Sequence, residues 1–172
     1  MSVTATARPV VVGIDGSGRA EQILEWAAAE AVVCRAPLHV VTVWTWDGQA
    51  TAGPSARRPD RSTARPGGWA RQVQETLVAR VLARFGNQAP PISVEVTMGD
   101  PATQLIERSC HAELLVVGAD STDHEHGSRT VARVCVQHAG CPVVVVPAEG
   151  ALAHPAVPRQ CPPDGTTRLS AD

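Results

Sequence analysis

The chain alternates short runs of β-branched apolar residues with longer segments of mixed polarity. The runs Pro9–Ile14 and Leu114–Val117 are almost wholly apolar, which is typical of strands buried on both faces of a parallel sheet. Pro142–Pro147 predicts the last strand. Leu38–Trp46 predicts another strand. In Ile92–Val96 apolar and polar residues alternate, which predicts a half-buried outer strand. The pattern therefore predicts five strands.

Each segment between these strands carries apolar residues at helical spacing. We expect the first helix to follow the polar turn Asp15–Gly18, with Ser17 as its N-cap. Asp100 and Pro101 form a start signal for the third helix, as N-cap and first helical residue. The predicted inward positions are Ile23, Ala27, Ala31 and Cys34 in the first helix, Trp69, Val73, Leu77, Val81 and Phe85 in the second, Leu105, Ile106, Ser109 and Cys110 in the third, and Val131, Val134, Cys135 and His138 in the fourth.

This order of elements, β-α-β-loop-α-β-α-β-α-β, predicts an α/β fold with a parallel sheet covered on both faces. Right-handed crossovers favour a doubly wound arrangement of that sheet. Ligands of such sheets bind beyond the carboxyl ends of the strands, where the strand order reverses. The segments of interest are therefore Asp15–Ser17, Val43–Trp46 and Gly118–Ser128.

We expect one domain over residues 8–147, preceded by a short arm at 1–7 and followed by a tail at 148–172. Residues 47–68 are rich in Gly, Pro and Arg and have no periodicity, which predicts a mobile basic loop inside the domain. The Pro-rich tail has no periodicity either, so we expect it to be disordered.

Composition excludes several classes of protein. The chain has no lysine and no tyrosine, and all 15 basic residues are arginine. A Walker A loop, Schiff-base chemistry and a protein kinase each require a lysine, so all three are excluded. Aromatic residues make up 3% of the chain and the net charge is −2, which favours neither nucleic acid nor an anionic membrane surface as a partner.

The chain carries no feature that predicts export, a membrane span or a metal site. Its apolar runs are too short to cross a bilayer, and its first residues do not resemble a signal peptide. Five cysteines without disulfide-framework spacing predict reduced thiols and a cytoplasmic location. His124 and His126 have no further ligands at zinc spacing, and Cys135 is expected in the core.

An ordered set of motifs is formed by Val11–Ser17, Trp26–Ala31, Gly99–Ala102, Leu114–Gly118 and Cys141–Pro147. Together they resemble the universal stress protein family over about residues 8–147. The resemblance implies a five-stranded parallel sheet in the order 3-2-1-4-5, of the adenine nucleotide alpha hydrolase-like type, and a homodimer. Many members of the family bind ATP and some do not, so ATP, with Mg²⁺, is the cofactor that the resemblance implies.

Nucleotide-binding members carry G-x-x-G, a spacer and then G-[ST] between the fourth strand and the fourth helix. Glycines let backbone N–H groups approach the phosphates, and the helix N-terminus adds partial positive charge. Gly118 matches the first glycine, but Ser121 stands at the second. Asp120 occupies a position where an arginine is frequent in the family. The phosphate half of the motif is therefore impaired.

The end of this motif has two alignments, because the spacer is short. Counting back from Cys141 selects Arg129 and Thr130, whereas residue type selects Gly127 and Ser128. Three carboxylates lie in the same loop, and Arg129 is the only full cation expected near them. Carboxylates close to a triphosphate oppose its binding unless a divalent metal bridges the two.

The adenosine half of the site is better matched. The resemblance places Asp15 at the adenine and ribose end and the backbone of Val43 beside the base, with Val117 and Gly118 at the end of the fourth strand. Two other roles stay open: Asp15 as a turn-forming aspartate and Gly118 as the glycine of a tight turn. The full set of predicted cofactor-binding residues is Asp15, Val43, Val117, Gly118, Gly127, Ser128 and Thr130.

Two functions of different classes follow. The first is a regulatory stress-response protein in which an adenine nucleotide controls an unknown protein partner. The alternative is a dimeric interaction protein of the same fold that binds no nucleotide. A slow ATPase is a third, weaker hypothesis, because no general base is placed near the site. In each case we expect a homodimer through Val143–Val146, since an exposed apolar edge strand tends to pair.

Overall fold

The computed structural model describes residues 7–44, 68–119 and 131–147. The tail predicted at 148–172 lies outside the described residues, as do the arm predicted at 1–7 and the loop predicted at 47–68 except for their last residues, Ala7 and Gly68. The elements are β1 (Val10–Ile14), α1 (Ala20–Cys34), β2 (Leu38–Trp44), α2 (Gly68–Leu82), a 3₁₀ turn (Gly86–Gln88), β3 (Ile92–Met98), α3 (Pro101–Ser109), β4 (Leu114–Gly118), α4 (Val131–His138) and β5 (Val143–Val146).

All five strands form one parallel sheet in the order β3-β2-β1-β4-β5, as predicted. The central strand β1 is paired on both edges, with Val10 opposite Leu38 on one side and Leu114 on the other. Val10, Val11 and Val12 have no solvent-exposed surface. Uninterrupted apolar runs mark strands covered on both faces, which explains why β1 could be recognised from its sequence.

The helices cover the sheet in two pairs, which confirms the doubly wound arrangement. One apolar cluster joins β1 and β2 to α1 and α2, and includes Leu24 and Val81. A second cluster on the opposite face joins the same strands to α3 and α4, and includes Leu105 and Cys135. Side chains of successive strand residues point to opposite faces, so Val10 and Val11 belong to different clusters.

The two predicted helix starts have different outcomes. Asp100 caps α3 as expected, since its Oδ2 accepts a hydrogen bond from the Thr103 backbone N–H at 2.8 Å. Ser17 is not the N-cap of α1, because that helix begins at Ala20 and the residue before it is Arg19. The Ser17 carbonyl instead accepts from the Ala20 N–H at 3.1 Å, which extends the turn after β1 by two residues.

The inward face of α2 is rotated relative to the prediction. Val73, expected inward, is 37% exposed, whereas Gln74 is 1% exposed and lies against the sheet. A row of residues four apart advances about 40° around a helix at each step, because one turn takes about 3.6 residues. The row therefore starts on the solvent side at Val73 and reaches the core only at Val81, which is fully buried.

The ends of the other helices also expose residues that were predicted to face inward. Cys34, Cys110 and His138 are all exposed. Each lies in the last turn of its helix or just after it. For α1 the end is fixed by Arg35, which adopts the left-handed conformation at φ 52° and closes the helix.

A polar cluster lies beside the edge strand β3, the outer strand that the alternating pattern predicted. Glu95 is hydrogen-bonded to the Arg108 guanidinium of α3, and its Oε2 lies 3.1 Å from Nε2 of His39. The hydrogen bond from Arg108 lowers the pKa of Glu95 below its ordinary value, against the opposing effect of partial burial. This cluster ties α3 to β2 and β3, so the half-buried outer strand has a polar as well as an apolar attachment.

Candidate functional site

The sheet opens between β1 and β4 at their carboxyl ends. Pairing of β1 with β4 ends at Val12 opposite Val116, whereas pairing of β1 with β2 continues to Ile14. On the other side, β4 remains paired with β5 as far as Gly118. We call this space the β1/β4 crevice; it is bordered by residues 13–15 of one strand end and by residues 117–118 of the other. It lies where the strand order reverses, which is the usual ligand position in such sheets.

Asp15 is the first residue after β1 and borders the crevice. Its Oδ1 accepts a hydrogen bond from the backbone N–H of Ser17 at 3.2 Å, so it does form the turn that was one of its two predicted roles. The side chain is half-buried, and this is the one hydrogen bond made by its carboxylate within the described residues. The second carboxylate oxygen remains available for a ligand, so both predicted roles are compatible with this geometry.

Val43 and Val117 lie on the α3 and α4 face of the sheet, and both side chains are buried. Their side chains therefore belong to the core, and only their backbone groups are in a position to meet a ligand. Val43 extends one residue beyond Thr42, the last β2 residue paired with β1. Val117 likewise extends one residue beyond Val116, the last β4 residue paired with β1. Both residues thus flank β1 where its pairing has ended.

Gly118 ends β4, and its lack of a side chain has a packing reason. A Cβ atom at this position would lie 2.6 Å from Cδ1 of Ile23, which is closer than nonbonded carbon atoms approach. A tight turn is not the reason, since Gly118 is not among the described residues with positive φ. The side chain of Ile23 in α1 therefore lies against the end of β4, in the space that a side chain of residue 118 would occupy.

Arg19 is a site residue that the sequence analysis missed. Its Nη2 donates a 2.8 Å hydrogen bond to the carbonyl oxygen of Ala119, 100 residues further along the chain. This contact places a cation beside the residue that follows Gly118. The expectation that Arg129 is the only full cation near this loop was therefore wrong. The only signal in the sequence was a charged residue within the turn after a buried strand, which is too common to select it.

The remaining predicted site residues, Gly127, Ser128 and Thr130, lie outside the described residues, as do Asp120 and Ser121. Among the residues described, no group of three or more His, Cys, Asp or Glu side chains is arranged to hold a metal ion. Nor does this part of the chain contain a helix with the length and apolar character needed to cross a membrane.

The described thiols do not form a nucleophilic site. Burial raises the pKa of Cys34 and of Cys141 above the ordinary value, which disfavours their thiolates. Cys135 is fully buried between α4 and the sheet, as predicted. Cys141 is half-buried just before β5. Neither Cys34 nor Cys141 is therefore activated as a nucleophile.

Comparison with known proteins gives one consistent relationship. Residues 6–147 match the universal stress protein family. A universal stress protein of Mycobacterium tuberculosis (strain H37Rv) is 36% identical over 155 residues, which are 88% of this chain and 54% of that protein. A second universal stress protein of the same strain is 31% identical over 141 residues, 80% of this chain and 47% of that protein. The chain thus spans about half the length of these curated relatives.

Solved structures show the same fold at lower identity. A universal stress protein in complex with cAMP superposes with a TM-score of 0.61 at 21% identity, over 84% of this chain and 100% of that one. The universal stress protein of Archaeoglobus fulgidus in complex with dAMP gives 0.52 at 19% identity, over 82% and 98%. Fold, sheet order and sequence agree along residues 6–147, and the chain belongs to the universal stress protein family.

Proposed function

We propose that this protein is a cytoplasmic stress-response regulator that binds an adenine nucleotide in the β1/β4 crevice and thereby controls a protein partner. The observation that carries the proposal is the separation of β1 from β4 beyond Val12 and Val116, with Asp15 after one strand and Gly118 at the end of the other. Proteins of the same fold have been solved with cAMP, dAMP and AMP bound, which supports an adenine ligand.

The crevice and the neighbouring end of β2 suit different parts of the ligand. The free oxygen of the Asp15 carboxylate suits the ribose hydroxyls, since an ionised carboxylate accepts hydrogen bonds only. The backbone of Val43, one residue past the last β1 pair, suits the polar edge of the base. Gly118 suits close approach of the phosphate to main-chain N–H groups. The proposed ligand is ATP with Mg²⁺, or a nucleotide with fewer phosphates.

Replacing Asp15 with alanine tests the ribose contact. We expect the Asp15→Ala variant to bind ATP and AMP about tenfold or more weakly than the wild type, because a hydrogen bond to a charged group contributes about 1.5–3 kcal/mol. Isothermal titration calorimetry with each nucleotide, in the presence of Mg²⁺, measures the change. Asp100→Ala is a matched control, since it also removes an aspartate that bonds to a backbone N–H after a strand, but at the edge strand β3.

Two results would contradict this proposal. Absence of binding by the wild type at millimolar ATP or AMP would remove the nucleotide site itself. Equal losses in Asp15→Ala and Asp100→Ala would show that the first variant acts only through its turn hydrogen bond and the stability of the fold.

The second candidate function is a dimeric interaction protein of the same fold, with no nucleotide. It is favoured by β5, which pairs only with β4 and leaves its other edge without a strand partner in the described residues. Val145 of this strand is 38% exposed. Edge strands with apolar side chains pair readily with another chain, so we propose a homodimer through Val143–Val146.

Placing a charge on this edge tests the dimer. We expect Val145→Lys to shift the protein from dimer to monomer at about 10 µM, because lysine on an edge strand opposes pairing with a second copy. Light scattering coupled to size-exclusion chromatography measures the mass. Val136→Lys is the matched control: Val136 is 57% exposed but lies on α4 rather than on the sheet edge. A wild-type protein that is already monomeric would contradict the proposed dimer.

A further inference from the structure

Arg19 lies across one end of the β1/β4 crevice. It belongs to the turn after β1, and its guanidinium reaches the carbonyl of Ala119, the residue that follows β4. The same turn is held by two side-chain contacts: the Asp15 carboxylate accepts from the Ser17 N–H at 3.2 Å, and Ser17 Oγ lies 3.4 Å from the Arg19 N–H. Asp15 and Arg19 are therefore presented from one turn, an anion and a cation beside the same crevice.

The guanidinium is only half satisfied. Nη2 has the Ala119 carbonyl as its acceptor, but Nη1 is enclosed from solvent and has no hydrogen-bond partner in the part of the chain that the structure describes. Within the described residues no carboxylate lies within 4 Å of Arg19. An enclosed donor without an acceptor costs free energy, and more so when it is charged. The arrangement lacks an anionic acceptor on the Nη1 side.

We infer that Arg19 binds a phosphate oxygen of the nucleotide through Nη1. This inference rests on the proposed function and assigns the phosphate contact within it. Arginine is suited to the task because its planar fork has donors for two different partners at once. The Ala119 carbonyl binds one side of the fork at the end of β4, and the Nη1 side has no acceptor among the described residues.

A phosphate contact by Arg19 also compensates for the impaired phosphate motif in the loop after β4. The loop after β4 has Ser121 and Asp120 in place of a glycine and a frequent arginine, and the chain has no lysine. A cation supplied from the turn after β1 replaces the charge that this loop lacks. On this basis the protein favours a nucleotide over the corresponding nucleoside, even though its phosphate loop is impaired.

Comparing AMP with adenosine isolates the phosphate contact, because the two ligands differ only in that group. We expect wild-type protein to bind AMP more tightly than adenosine, and Arg19→Gln to weaken AMP binding by about tenfold or more. The adenosine affinity of the variant should stay within about twofold of the wild type. Arg8→Gln is the matched control, since Arg8 is exposed and precedes β1, at the amino ends of the strands and away from the crevice.

Arg19→Lys separates charge from geometry. It keeps the cation but loses the fork, so we expect an AMP affinity between those of the wild type and Arg19→Gln, with a thermal unfolding temperature close to that of the wild type. Calorimetric titration of each variant measures its AMP affinity, and circular dichroism measures its thermal unfolding temperature.

Several results would overturn the inference while leaving the nucleotide site intact. Unchanged AMP affinity in Arg19→Gln would show that Arg19 does not touch the phosphate. Equal losses for AMP and adenosine would make Arg19 a structural support of the turn. Tighter binding of both ligands would show that its side chain obstructs the crevice. If the wild type binds neither ligand, the proposed function and this inference fail together.

Discussion

Replacing Gln74 with glutamate is expected to destabilise the protein by about 4 kcal/mol at pH 7, on the scale of leaving an uncompensated charge in a core. Gln74 is 1% exposed, and its Nε2 donates to the carbonyl oxygens of Val40 and Glu95, each at 3.1 Å. These carbonyls belong to β2 and β3, so one amide group bonds both strands from α2. A carboxylate there would lose both donors and face two carbonyl oxygens instead.

The destabilisation should depend on pH. Burial favours the neutral form of a carboxyl group, so the folded Gln74→Glu variant resists ionisation, whereas its unfolded chain does not. The variant therefore loses stability relative to the wild type as the pH rises above the ordinary glutamate range, and it recovers part of the loss on acidification to pH 4. Urea unfolding of both proteins at pH 4 and pH 7 measures the difference.

Two further variants at this position separate charge from hydrogen bonding. Gln74→Leu removes both hydrogen bonds but keeps most of the volume and also removes Oε1, which is buried without a partner. We expect a cost of about 1 kcal/mol. Gln74→Ala adds a cavity and should cost about 2 kcal/mol. A Gln74→Glu variant within 1 kcal/mol of the wild type at pH 7 would contradict the buried position of this amide.

Gln74 also shows which part of the fold could not be predicted from the sequence. The strands could be, because β1 and β4 are apolar runs that favour a position inside a covered sheet, and β5 is a run of four valines, which favours a strand. The inward face of α2 could not, because the apolar residues of this helix lie on more than one of its faces and the step of four through Val73 suggested a different face. Its glutamine is buried because two strand carbonyl groups accept hydrogen bonds from it, and the sequence does not show that these groups lie beneath α2.

The candidate site also contains residues whose positions could be predicted and one residue, Arg19, whose contact could not. Asp15 and Gly118 could be predicted, because each stands at the end of a recognisable strand and parallel strands bring those ends to one edge. The contribution of Arg19 could not, because its contact with Ala119 joins residues 100 positions apart. Local pattern places the ends of elements, but it does not tell which side chain of a turn reaches across to a neighbouring strand.

A glycine in the middle of the central strand gives the second large expected effect. Gly13 lies in β1, where valine would ordinarily be favoured because β-branched residues suit strands and glycine weakens them. A Cβ atom at this position, however, would lie 2.7 Å from Cδ1 and 3.0 Å from Cδ2 of Leu105. Leu105 of α3 is 3% exposed and occupies the space above the glycine. We therefore expect Gly13→Val to cost about 3 kcal/mol through overpacking.

A double-mutant cycle distinguishes this packing from a general intolerance of β1. Leu105→Ala alone should cost about 3 kcal/mol, because it leaves a cavity in the cluster on the α3 and α4 face. Combined with Gly13→Val, the valine fills part of that cavity, so the double variant should be more stable than the sum by about 1.5 kcal/mol or more. Leu24→Ala, on the opposite face of the sheet, should combine with Gly13→Val additively to within about 0.5 kcal/mol.

Additivity in both pairs, measured by urea unfolding, would show that Leu105 is not what excludes a side chain at Gly13. Coupling to Leu105 alone would mean that α3 packs closely on β1 because residue 13 has no side chain. This close contact lies two residues before Asp15, which borders the crevice.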